Sequence, residues 1–251
     1  MLFGYSLEIV TIVSLGICLG GFVKGVTGIG LPIVGIAIMV NFMEPKTTFA
    51  TLIMPILVTN LWQAATSHDW RAPFKRFWLM IICFVACLFV GAELLVVLDS
   101  SVLLTVLGAC VAVFAASNLL RPPARPLPPV WERTLGPIAG ALGGLLGGLT
   151  AIWGPPMIML FVMLKLEKNL WVQTVGLIWF IGSVPLAIAY WNNGLLNWDN
   201  LPLSLYACVP GMVGIWLGEV IRRRIDQETF RKVMLVALFI IGLNLIRRAL
   251  F

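Results

Sequence analysis

Two stretches of this chain combine the residue types that hold small anions. The first reads GGFVKGVTGIGLP (Gly20–Pro32) and the second GGLLGGLTAIWGPP (Gly143–Pro156). Each interrupts an apolar run with glycines, sets a threonine (Thr27, Thr150) before the interruption and follows it with proline. Proline in a first helical turn sacrifices no hydrogen bond, so each stretch reads as one helix ending and a short one beginning. A helix that begins inside a membrane presents unpaired N–H groups and the positive end of its dipole, which together favour negative charge. The expected substrate-binding residues are therefore Lys24, Gly25, Thr27, Gly28 and Gly30 in the first stretch, and Thr150, Trp153 and Gly154 in the second. Thr27 and Thr150 would add hydroxyl donors, Trp153 an indole N–H and Lys24 a full charge.

The polar groups Thr51, Asn60, Gln63, Gln173, Thr174 and Ser183 fall in the adjoining apolar segments; the first five complete the candidate lining. A second explanation stands beside this one. Gly21-x-x-x-Gly25 and Gly144-x-x-x-Gly148 fit the small-xxx-small pattern of close helix packing, and a lysine near a membrane surface can simply snorkel to water. Glu93 and Glu219 lie near helix ends as interfacial charges. No catalytic residue, cofactor or metal ligand set is expected. The single histidine, His68, sits in the loop SHDW, and no HExxH, GxSxG or Walker-type loop occurs. The five cysteines all lie in apolar runs and read as small hydrophobes.

The elements that must carry these residues follow from composition. The chain of 251 residues is 60% hydrophobic and 11% charged, too little charge for a soluble surface. Ten apolar segments recur, near 6–24, 30–43, 47–66, 75–98, 101–120, 134–150, 153–166, 171–191, 202–221 and 229–249. In lipid, backbone groups must be paired within their own segment, so the expected fold is an all-α integral membrane protein. The N-terminal segment lacks a basic n-region and a cleavage site and reads as an uncleaved first helix.

Between segments five and six, RPPARPLPP (Arg121–Pro129) cannot continue a helix. It divides the chain into a first membrane repeat (1–120), a proline-rich cytoplasmic linker (121–133) and a second repeat (134–251). At a shift of 123, Gly20, Gly21, Gly25, Thr27, Glu44 and Thr51 fall on Gly143, Gly144, Gly148, Thr150, Glu167 and Thr174. A one-residue insertion then pairs Gly30 and Pro32 with Gly154 and Pro156. At a shift of 127, Gly91 and Asp99 meet Gly218 and Asp226.

If all ten segments cross, only Lys46, Arg247 and Arg248 of the 17 basic residues lie on the face opposite the rest. The positive-inside rule then makes the rich face cytoplasmic and both termini external. Matching loops exchange charge between the halves: RAPFKR (Arg71–Arg76) corresponds to DNLPLS (Asp199–Ser204), and LDSS (Leu98–Ser101) to RRRIDQETFRK (Arg222–Lys232). The expectation is two inverted-topology repeats of about five segments each, with short or broken helices two and seven. Whether segments one and two, and six and seven, cross fully or form re-entrant hairpins is open at this level.

At these residues the chain resembles the TauE/SafE sulfite exporter family, also called the toluene sulfonate uptake permease family. The resemblance rests on GFVKGVTGIGLP (Gly21–Pro32), its counterpart GLLGGLTAIWGPP (Gly144–Pro156) and GAELLVVLDSSVLLTVLG (Gly91–Gly108). Ala151 and Trp153 stand where that pattern has glycine, and Pro155-Pro156 is a departure. The resemblance implies a multi-pass carrier of the bacterial inner membrane that exports sulfite or organosulfonates such as sulfoacetate by alternating access. It would meet a small anion and the lipid bilayer, not nucleic acid, with homo-oligomerisation open. Two further readings stand beside it: another five-plus-five carrier for metabolites or cations, and a membrane assembly subunit without substrate. A cation site should show a carboxylate in mid-helix, and none is clearly placed.

Overall fold

Apolar segments of this length fold as helices, and the computed structural model shows how they are arranged. It describes residues 4–66, 70–99 and 127–226, with isolated positions at 102, 105, 109, 228, 229, 232 and 236. Eight helices occur among the described residues: α1 (Leu7–Thr27), α2 (Leu31–Met39), α3 (Pro45–Ala65), α4 (Arg71–Val97), α5 (Pro129–Thr150), α6 (Gly154–Met163), α7 (Lys168–Asn192) and α8 (Leu201–Arg222). Each matches an expected segment. The expected segments 101–120 and 229–249, most of the linker, and His68 lie largely or wholly outside the described residues. Helix α5 begins at Pro129, inside the stretch expected as linker, because proline is welcome at a helix start.

Five helices are long and apolar enough to cross a membrane: α1, α3, α4, α8 and the Asn169–Asn192 stretch of α7. Helix α5 equals them in length, with 22 residues, but six glycines dilute its hydropathy. The short helices α2 and α6, with 9 and 10 residues, reach only about 14–15 Å, half of the roughly 30 Å hydrocarbon core.

The contacts fix the direction of each helix. Along α1 and α8, Gly21 lies against Gly211 and Gly25 against Ile215 and Gly218, so the two run parallel. Along α4 and α5, Gly140 meets Met80, Gly144 meets Phe84 and Gly148 meets Leu88 and Gly91, again in ascending order. Helix α3 follows α8 (Thr51 with Ser204, Thr59 with Gly211), whereas α7 follows α4 (Gly182 with Phe84, Asn193 with Ala92). Helices α3 and α7 cross in opposite senses: Asn60 bonds the Trp179 carbonyl while Gln63 bonds that of Val172. Thus α1, α3 and α8 run one way, and α4, α5 and α7 the other. Helices α2 and α6 fold back along α1 and α5, with Gly16 against Ile38 and Gly20 against Leu31, and Gly143 against Met157 and Gly147 against Trp153.

The same directions bring Arg71, Lys75, Arg76, Arg133 and Arg222–Arg224 to one face. There Arg76 donates twice to Glu132, at 2.6 and 2.7 Å, clamping the starts of α4 and α5 together.

Among the described residues two sets of four helices can be traced, each with three helices of one half and one of the other, and the α3–α7 contact that joins them is as extensive as those of α3 with α8 and of α7 with α4. Helices α1, α2 and α3 pack with α8; α5, α6 and α7 gather with α4; extended contact between the groups runs along α3 and α7. The crossings that join the halves are backbone against backbone. A Cβ on Gly25 would lie 2.8 Å from the Cα of Gly218 and 3.0 Å from the Glu219 nitrogen, and neither can retreat. We expect Gly25→Leu to lower the thermal stability of the detergent-purified protein by about 1–3 kcal/mol or more, through overpacking. Gly136→Ala, whose Cβ would find only Met80 Cβ at 3.8 Å, should stay within about 1 kcal/mol of the parent in the same unfolding measurement.

Candidate functional site

The site is assembled from the two helix breaks. Helix α1 ends at Gly28, whose φ of 82° is left-handed and whose N–H donates to the Lys24 carbonyl at 2.6 Å. Gly30, at φ 109°, then turns the chain into α2. In the second half the same turn falls on Ala151, at φ 58°, with its N–H donating to the Gly147 carbonyl at 2.8 Å. A side chain in that conformation costs about 1–2 kcal/mol, which the surrounding bonds must hold in place. The helix ends keep a constant shift of 123: Gly28 with Ala151, Gly30 with Trp153, Leu31 with Gly154, Glu44 with Glu167. No insertion separates the copies, so Pro32 pairs with Pro155 and Gly30 with Trp153.

Both breaks line one small cavity of about 20 Å³ together with α3 and α7. Lys24, Gly30, Pro32 and Ile33 come from the first half's break, Ala151, Ile152, Trp153 and Gly154 from the second's, and Ile56, Asn60 and Trp179 from the crossing helices. That volume admits about one water-sized body. The shift of 123 pairs Gly30 with Trp153 and Ile56 with Trp179, so the cavity lies where corresponding positions of the two halves meet.

Lys24 is the charge of this site, 3% exposed. Its Nζ donates to Thr59 Oγ1 at 3.1 Å and to Asn60 Oδ1. Those acceptors are oriented by bonds of their own. Thr59 gives its proton to the Pro55 carbonyl at 2.6 Å, and Asn60 gives one amide proton to the Trp179 carbonyl at 3.2 Å. Both partners are neutral, and among the described residues Lys24 forms no ion pair. An ammonium has three donors, so one is left over. A charge buried without a counter-ion costs several kcal/mol, so an anion beside the Lys24 ammonium would be stabilised. The Trp179 Nε1–H, on a residue 5% exposed, has no hydrogen-bond partner either. Trp153 stands between the rings of Phe84 and Trp179, with centroids at 5.7 and 6.3 Å, and forms a rigid aromatic wall.

The other expected residues are distributed as follows. Gly25 sits in the crossing with α8 rather than at the cavity, and Gly28 packs beside Gln63, Trp171 and Val172. The Thr27 hydroxyl lies 2.8 Å from the Val23 carbonyl and 2.7 Å from that of Ile29, and accepts from the Ile29 N–H at 3.2 Å. Thr150 donates to the Leu146 carbonyl at 2.7 Å and accepts from the Ile152 N–H at 3.3 Å. Both hydroxyls are thus spent on capping the breaks, and neither lines the cavity. Thr51 bonds the Thr47 carbonyl, Gln63 ties α3 to the Val172 carbonyl at 3.0 Å, and Ser183 bonds the Phe180 carbonyl. Thr174 is fully buried with its hydroxyl unpartnered, and Gln173 is half-buried on α7; neither lines the cavity.

Sequence reasoning missed Thr59 and Trp179. Thr59 adjoins Asn60, but nothing in one sequence says that it accepts from Lys24. Trp179 lies in an apolar run and reads as core; its pairing with Ile56 at the repeat shift was the only pointer. The helix starts also offer fewer donors than expected. Pro32 removes an N–H from the first turn of α2, and Pro155 and Pro156 remove two from that of α6.

Broken helices folding back inside a multi-pass bundle, meeting at a buried cavity whose polar side chains offer N–H donors, define the architecture of a membrane transporter. The chain belongs to the sulfite exporter TauE/SafE family, whose family model matches residues 12–245. That family is one of exporter-type membrane transporters and not of enzymes. No curated protein and no solved structure matches the chain.

Capping of the breaks leads to a simple expectation. Thr27→Val and Thr150→Val should each lower the unfolding free energy by roughly 1–2 kcal/mol, since each leaves a buried backbone N–H without its acceptor. Thermal unfolding of the purified variants measures this.

Proposed function

We propose that this protein carries a small sulfur oxyanion across the bacterial inner membrane, with the cavity between the two breaks as its binding site. The observation that carries this reading is Lys24, a buried cation held by two neutral acceptors, facing a cavity whose other polar side chains donate hydrogen bonds. On this reading the ammonium's third N–H, the second amide proton of Asn60 and the indole N–H of Trp179, all on residues that line the cavity, are the donors offered to the oxygen atoms of a bound anion. The starts of α2 and α6 add the positive ends of two helix dipoles, although prolines thin their N–H groups.

Transport proceeds by alternating access between inverted repeats, with the basic face cytoplasmic and the termini external. The bodies that move are the two mixed groups, α1–α2–α3–α8 and α5–α6–α7–α4. Each contains one glycine crossing, α1 with α8 or α4 with α5, and on this reading they move against each other at the α3–α7 contact beside the cavity. A volume of about 20 Å³ is too small for an oxyanion with its oxygens, so this reading requires the cavity to widen when an anion binds. Export is favoured over import. A negative-inside membrane drives each outgoing negative charge by about 2.3 kcal/mol per 100 mV, so no coupling carboxylate is required.

Sulfite flux in proteoliposomes containing the full chain tests this. Uptake or release of labelled sulfite should exceed that of empty liposomes, Lys24→Met should reduce it at least ten-fold, and Lys24→Arg should retain part of it. Flux that is unaffected by Lys24→Met in a folded protein removes Lys24 from the site. Absence of any sulfur-oxyanion flux removes the reading itself.

A further inference from the structure

One cation lines the cavity, and that count restricts what fills it. Among the described lining residues Lys24 is the only ionisable side chain, and it is buried. Around it stand three uncharged donor side chains, Asn60, Trp153 and Trp179, and an apolar surface of Ile33, Ile56 and Ile152; of the two indoles, only the Trp179 N–H is buried without a partner. We propose that the site selects monoanions, with Lys24 balancing the single charge and the indole N–H of Trp179 serving as the uncharged donor that fixes an oxygen. The proposal rests on the anion-carrier reading above and narrows it.

The reasoning is charge balance in a dry site. A monoanion beside Lys24 makes a neutral pair, and its remaining oxygens are met by N–H groups that carry no charge. A dianion leaves one negative charge uncompensated among isoleucines, and uncharged donors do not replace a second cation. Trp179 is suited to its part because its N–H is otherwise unsatisfied although the residue is 5% exposed. A buried donor without an acceptor persists at a cost unless something supplies the acceptor. The ring is also held rigidly, against Trp153 at a centroid distance of 6.3 Å. Its amide neighbour is tied as well, since the Trp179 carbonyl holds the Asn60 amide. Hydrogensulfite and organic sulfonates fall in the selected class; the sulfite and sulfate dianions do not.

Two probes with the same tetrahedral head separate the cases. Methanesulfonate is a monoanion and sulfate a dianion throughout the pH range in which the protein is handled. Binding of each to the detergent-purified full chain is measured calorimetrically, with sulfite in parallel. The expected result is a methanesulfonate dissociation constant at least ten-fold below that of sulfate, and Trp179→Phe weakening methanesulfonate about ten-fold with the ligand-free unfolding temperature unchanged. Sulfate binding as tightly as methanesulfonate overturns the monoanion rule while leaving the carrier reading intact. Unchanged methanesulfonate affinity in Trp179→Phe overturns the role of the indole. If neither probe nor sulfite binds, the carrier reading fails and the monoanion rule with it. The comparison of the two probes on the unaltered chain stands whether or not the variant folds.

Discussion

A helix inside lipid can be interrupted only where protein replaces the hydrogen bonds it gives up, and this fold is organised around two such interruptions. At the first, Gly28 and Gly30 adopt left-handed conformations, the Gly28 N–H returns to Lys24, and the Thr27 hydroxyl accepts from Ile29. At the second, Ala151 and Thr150 perform the same tasks on Gly147 and Ile152. Capped in this way, the breaks must still be kept from lipid. Both are buried in protein: Gly28 packs on Gln63 of α3 and on Trp171 and Val172 of α7, and Trp153 lies between Phe84 of α4 and Trp179 of α7, while glycines on both sides draw α8 against α1 and α4 against α5 to backbone contact. The packing and binding explanations of the glycine stretches therefore divide by residue. Gly21, Gly25, Gly144 and Gly148 close the crossings, while Gly30 and Gly154 face the cavity.

The two halves are alike in their breaks and unlike in their chemistry. Position 24 is lysine and its partner, residue 147, is glycine; position 56 is isoleucine and its partner, residue 179, is tryptophan. A cavity at the meeting point of two similar halves would offer two similar walls. Here one half contributes a charge with the acceptors that hold it, and the other an aromatic wall and an N–H. The asymmetry turns a packing motif into a site with polarity. It also explains why the volume is small: Trp153 stands where the first copy has Gly30, and its ring occupies space beside Gly147.

Pro55 shows how local chemistry supports this arrangement. Lacking an N–H, it leaves the Thr51 carbonyl free within α3, and Ser204 of α8 donates to it at 2.9 Å while accepting from the Met54 N–H at 3.1 Å. The Pro55 carbonyl in turn takes the Thr59 proton, which turns the Thr59 oxygen toward Lys24. An apparent defect in one helix thus joins two helices and orients an acceptor for the buried charge.

The membrane class, the eight described helices and the two interrupted stretches were legible in the residues, because each follows from local composition: apolar length, and glycine and proline at fixed offsets. Lys24, Gly30, Asn60, Trp153 and Gly154 could be placed near a site on the same grounds. Folding assigned the remaining roles, since they depend on which donors already have acceptors. The hydroxyls of Thr27 and Thr150 look available in a sequence and are consumed by backbone a turn away. Trp179 looks like core, yet it lines the same cavity as Lys24 and keeps an unsatisfied N–H. Whether a polar atom is free is a property of its neighbours in space: for the threonines these are a turn away, for Lys24 they lie on α3, and for Asn60 on α7, 119 residues along the chain.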